Sequence, residues 1–293
     1  MARFVFSAFA DEAGESLEEQ IAALNENGIR YIEPRNIGGK PILSLTEEEL
    51  AKIKNAFDEN GIKVGSLGSP IGKFPIDEDF SHHLCDFDKA LEVCEILGTT
   101  NMRMFSFFVG QDSLKEKRDE VLRRMNTLVC LAKKRGIRLC HENESGIYGQ
   151  MPEQVTDLLT NVRGLYGIFD PANYRMNNAD VMEGIKATLI NLGYLHIKDA
   201  IYESQTITPA GEGEGRIGEI IDIVNEATDD LIYLTIEPHL HIFAAYSMID
   251  EHELKGKYKF SSNREAFDFA VKAFEQLMIK YGYRKDENGI WEK

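Results

Sequence analysis

Three short joints constrain this chain most. Gly28-Ile29-Arg30, Gly61-Ile62-Lys63 and Gly136-Ile137-Arg138 each close a run of helical spacing and open a short apolar run. Glycine there supplies a left-handed helix cap, and the basic residue lies near the negative end of the helix dipole. The same unit can be followed along the whole sequence. Apolar runs predict strands at Arg3–Ala8, Ile29–Glu33, Ile62–Leu67, Asn101–Ser106, Arg138–Glu142, Tyr166–Asp170, Tyr194–Lys198 and Leu231–Glu237. Between them, helical spacing predicts Glu15–Asn27, a helix opened by Thr46 and Glu49, and His82–Leu97. It continues with Ser113–Arg135, Pro152–Asn161, Ala179–Asn191, Ile217–Glu226 and Arg264–Tyr281. Eight strand–helix units in 293 residues fit a (β/α)8 TIM barrel better than an open sheet. We expect one domain over residues 1–293, with a long loop at 238–263 after strand eight. That loop carries Leu240, Ile242, Phe243, Tyr246 and Met248, so it is expected to cover the pocket or meet a neighbouring subunit.

In such a barrel, chemistry sits at the C-terminal ends of the strands. Those ends carry Asp11, Glu33 with Arg35, Ser66 with Ser69, Arg103 with Ser106, and then Glu142, Asp170, His196 and Glu237. The strand beginnings carry little acid. Three carboxylates and an imidazole converging on one point are unfavourable without a cation, because the carboxylates repel each other. An oxygen-rich set with a single histidine suits Mn2+ first, or Mg2+, with Co2+ and Zn2+ as further options. Glu144, Asn173 and Lys198 lie next to these positions and are expected to contact substrate, as are Arg103 and His239. Gly213-x-Gly215-x-x-Gly218 matches a dinucleotide pattern, but Glu212 and Glu214 beside it would repel a pyrophosphate.

A net charge of −16 argues against nucleic acid and against an anionic membrane surface. Cys85, Cys94, Cys130 and Cys140 are dispersed, which fits reduced thiols and a cytoplasmic location.

The chain resembles the sugar phosphate isomerase/epimerase family with the xylose isomerase-like barrel. The resemblance runs through Phe9–Glu12, Ser69-Pro70-x-Gly72, His141-Glu142-Asn143, Asp170-x-x-Asn173, His196-Ile-Lys-Asp199, the Pro209–Gly213 loop and Ile236-Glu237-Pro238. It implies Glu142, Asp170, His196 and Glu237 as ligands of one divalent metal, and Glu142 and Glu237 as the proton-transferring pair. Many ketose epimerases of the family carry histidine and arginine where this chain has Asn173 and Tyr202. The implied activity is isomerisation or epimerisation of a small carbohydrate by proton transfer next to a carbonyl, through an enediolate. The alternative is a metal-dependent lyase, dehydrating an inosose or cleaving a 3-keto-glycoside. A DNA hydrolase like endonuclease IV shares the fold, but wants more histidines and a basic groove. A homo- or hetero-oligomer is open on this reading.

Overall fold

The computed structural model describes residues 1–241 and 257–293. Eight strands form the ring: β1 (Arg3–Ala8), β2 (Tyr31–Ile32), β3 (Lys63–Val64), β4 (Asn101–Met104), β5 (Arg138–Glu142), β6 (Tyr166–Phe169), β7 (Leu192–Ile197) and β8 (Leu231–Ile236). Parallel ladders join β4 through β8 in order and then β8 to β1. The remaining joints close the circle. Glu33 N–H donates to Ala8 O at 3.0 Å, β2 pairs with β3, and Leu67 bridges to Met102. This is the expected (β/α)8 barrel.

The glycine joints explain why the chain turns where it does. Gly28, Gly61 and Gly136 have φ of 65°, 66° and 72°. In each case the following isoleucine donates back into the helix, to Leu24, Phe57 or Ala132, at 2.9–3.0 Å. Ile29, Ile62 and Ile137 are buried, so each joint also anchors the helix on the core. At the other helix ends, Ser16 with Glu19 and Thr46 with Glu49 form full capping boxes.

Some expected elements come out shorter. The third strand was expected over Ile62–Leu67, but its ladder covers Lys63–Val64. Beyond it, the Gly65 carbonyl accepts from the side chains of Asn101 (2.8 Å) and Thr99 (3.3 Å). The Ala179–Asn191 helix is α-helical over Val181–Thr188 and tightens to a 3-10 turn over Leu189–Asn191. Among the pieces with no counterpart in the sequence reading are a hairpin of Asn36–Ile37 with Lys40–Pro41, a short helix at Pro171–Met176, a hairpin of Asp199–Ile201 with Thr206–Thr208, and a C-terminal hairpin. The last pairs Ile290–Trp291 antiparallel with Val5–Phe4 and stacks Trp291 on Phe6. The expected role of the 238–263 loop falls largely on 242–256, outside the described residues. No helix among the described residues is long and apolar enough to cross a membrane.

His83, in the first turns of the Phe80–Leu97 helix, is buried, and its Nε2 accepts from Gly72 N–H at 3.0 Å. That bond needs the neutral ring, and burial lowers the His83 pKa below its usual 6.5. The neutral ring therefore stabilises the fold above about pH 6.5, and the contribution is lost as pH falls through the lower folded value. We expect urea midpoints to drop below pH 6.5, and His83→Gln, which keeps an acceptor, to flatten part of that slope.

Candidate metal centre

Consecutive strand ends bring the four expected ligands together. One ligand atom each from Glu142, Asp170, His196 and Glu237 lies within 4.8 Å of all the others, and all four residues are buried. His196 Nδ1 sits between Glu142 Oε1 at 3.0 Å and Glu237 Oε2 at 3.5 Å. Its other nitrogen, Nε2, faces Glu33 Oε2 at 3.4 Å, and Tyr194 O–H holds the second Glu33 oxygen at 2.7 Å. The Glu33 carboxylate thus stands behind the imidazole, on the side away from the cluster.

Asp170 divides its two oxygens. Oδ1 accepts from Asn173 N–H at 2.8 Å and caps the short Pro171–Met176 helix. Oδ2 lies 3.0 Å from Lys198 Nζ. Asn143 grips the backbone of Asp170 from both sides at 2.9 Å, which locks the end of β6 to the end of β5.

The electrostatics fit a cation. Six buried carboxylates (Asp11, Glu12, Glu33, Glu142, Asp170 and Glu237) face three buried fixed cations, Arg35, Arg103 and Lys198. Burial pulls the His196 pKa down, yet Glu142 and Glu33 outweigh it and hold the ring protonated well above the usual value. Burial pushes Glu142 and Glu237 up, but His196 with Arg103, and Lys198 with His239, keep both carboxyls below the usual range. Burial raises the Asp170 carboxyl to about 6 despite Lys198. A proton on His196 thus stands in front of the carboxylates. Uptake of a divalent ion at Nδ1 would release it.

The residues expected to meet substrate all have protein partners. Arg103 Nη1 pairs with Glu142 Oε2 at 3.2 Å. Asn173 Nδ2 donates to Asn143 O at 2.9 Å and reaches Glu142 Oε1 at 3.4 Å. Lys198 bridges Asp170 and Glu237. Glu144 pairs with Lys73 at 3.1 Å. His239 is buried, with Nε2 at 3.3 Å from Glu237 and 3.5 Å from Glu12.

Arg35 is the residue the sequence reading undervalued. It reaches Asp11 (2.9 Å), Glu12 (2.8 Å) and Glu237 (2.7 Å) at once. The only signal was its place two residues after Glu33 at a strand end.

The glycine pattern after β7 has a structural role. Asp199 Oδ2 accepts from Gly211 N–H (2.9 Å) and Gly213 N–H (3.1 Å); Oδ1 accepts from Gly215 N–H (2.8 Å) and Ala200 N–H (2.9 Å). The loop wraps a carboxylate of its own chain. A Cβ on Gly213 would stand 2.3 Å from Asp199 Oδ1. Asp199→Ala leaves four donors unpaired, at about 1–3 kcal/mol for each that water does not reach. We expect hydrogen exchange at residues 211–215 to rise sharply in that variant while the Leu231–Ile236 strand keeps its protection.

The family model for the xylose isomerase-like TIM barrel matches residues 21–253. The chain belongs to that family. No curated protein matches it. Among solved structures, it is similar to the probable 3-DHS dehydratase AsbF of Bacillus anthracis, at 13% identity and a TM-score of 0.72, over 92% of this chain and 98% of that one. An IOLI protein with a bound zinc atom is 16% identical, with a TM-score of 0.71, over 94% and 99%. A D-psicose 3-epimerase from Clostridium cellulolyticum H10 is 12% identical, with a TM-score of 0.70, over 93% and 99%. At these identities the likeness is one of fold.

Proposed function

We propose that this protein is a divalent-metal-dependent isomerase or epimerase of a small carbohydrate. The observation that carries the reading is the four-ligand cluster, with Glu142 and Glu237 on either side of His196 Nδ1. Glu142, Asp170, His196 and Glu237 would hold one ion, Mn2+ by preference for an oxygen-rich set. Bound there, it supplies positive charge to stabilise the enediolate that forms when a proton leaves carbon next to a carbonyl.

The chain's own groups move the protons. Glu142 and Glu237 come from β5 and β8, with β6 and β7 between them, so they approach the centre from different directions. One takes the proton, and the other returns one from the far face, which inverts the carbon. Return to the neighbouring carbon gives aldose–ketose isomerisation. Loss of a β-leaving group after the same first step gives the lyase reaction. Both carboxyls are held ionised, the state the accepting base needs, so the partner that returns a proton must first take one up from solvent.

The test is exchange of substrate α-protons in deuterated water, followed by NMR on Mn2+-loaded protein. Free ketoses, inososes and 3-keto-glycosides form the panel. We expect metal-dependent exchange with at least one class. No exchange with any of them under Mn2+, Mg2+ or Co2+ would refute the reading.

A further inference from the structure

Each of the three clustered carboxylates has one oxygen turned inward and one engaged elsewhere. Glu142 presents Oε1 to His196, while Oε2 is held by Arg103. Glu237 presents Oε2 to His196 and Lys198, while Oε1 is held by Arg35. Asp170 presents Oδ2, while Oδ1 caps a helix. The backbone holds the aspartate, but the two glutamates depend on side chains. A glutamate's terminal torsion is soft, so an unheld carboxylate can turn to offer both oxygens to a cation.

The two arginines share one support. The Arg35 guanidinium lies 4.3 Å and the Arg103 guanidinium 5.0 Å from the centre of the Phe9 ring. The same ring meets His196 edge-on at 5.2 Å. Phe9 is fully buried, and both arginines are nearly so. A ring face attracts a guanidinium most strongly where water is excluded. The carbonyls of Ser69 and Gly68, at 3.4 Å, steady Arg103 further.

We infer that Arg35 and Arg103, braced on Phe9, are positioning residues that make Glu237 and Glu142 ligate a metal through one oxygen each. This rests on the metal-dependent reading above. Phe9 then sets the orientation of both proposed proton-transfer groups through the two arginines it braces.

The test loads wild type, Phe9→Leu, Arg103→Met, Arg103→Lys and Arg35→Lys with Co2+ and records affinity and the visible absorption of the bound ion. Removing outer-shell partners of this kind commonly costs about 10–100-fold in metal affinity. We expect that loss in Phe9→Leu and Arg103→Met, with an altered absorption band as a released carboxylate turns. The two lysine variants should stay nearer the wild type in both readouts. Wild-type affinity and an unchanged band in both Phe9→Leu and Arg103→Met would overturn the inference and leave the metal centre standing. A wild-type chain that takes up no Co2+ would overturn both.

Discussion

Glu142→Gln and Glu237→Gln each lose α-proton exchange by about 10²–10⁴-fold, the range that general acid–base groups contribute. An amide oxygen still coordinates a cation but takes no proton at neutral pH. The structure separates the two variants further. Glu237 Oε1 lies 2.7 Å from Arg35, whereas Glu142 Oε2 lies 3.2 Å from Arg103. A glutamine has one acceptor to divide between arginine and metal. At position 237 the closer arginine competes harder, so Glu237→Gln keeps less metal than Glu142→Gln. Exchange rates at saturating Mn2+, read beside metal content, check both parts. Wild-type exchange in both variants would exclude the pair as acid and base.

The cluster of Glu142, Asp170, His196 and Glu237 is legible in the sequence because each member lies at or next to the end of an apolar run, and a barrel gathers strand ends at one place. Glu142, Asp170, His196 and Glu237 needed only the correct strand count. The supports around them are not legible in that way. Arg35 and Glu237 are 202 positions apart, and nothing local in Pro34-Arg35-Asn36 says which acid the guanidinium will meet. Lys198 and Asp199 look like equivalent polar neighbours after β7. Alternation turns Lys198 toward Asp170 and Glu237, while Asp199 turns into the glycine loop. The glycines of that loop resembled a phosphate-binding turn because a carboxylate makes the same demand on backbone N–H groups as a phosphate. The hairpins at 199–208 and 284–292 escape because strands of two or three residues carry no readable period.

Arg35→Met destabilises the fold by about 3–5 kcal/mol, because it leaves Asp11, Glu12 and Glu237 facing one another without their shared cation. Burial already raises the Glu12 carboxyl against the pull of His239 and Arg35, so losing Arg35 removes one of the two main opposing charges. The comparison is Arg123→Met. Arg123 pairs with Glu120 at 2.7 Å, but its side chain is 59% exposed. Such a pair contributes about 0–1 kcal/mol. Urea unfolding of both variants at pH 7 measures the difference. Equal losses would mean that the buried cluster is not held by Arg35.

The metal centre itself is tested most directly by elemental analysis of wild type, Asp170→Ala and His196→Ala after loading with Mn2+ and desalting. The account predicts one divalent ion per wild-type chain and a severe loss in both variants, since each removes an inward-facing ligand atom from the cluster. Full metal in both variants, or none in the wild type, would contradict it.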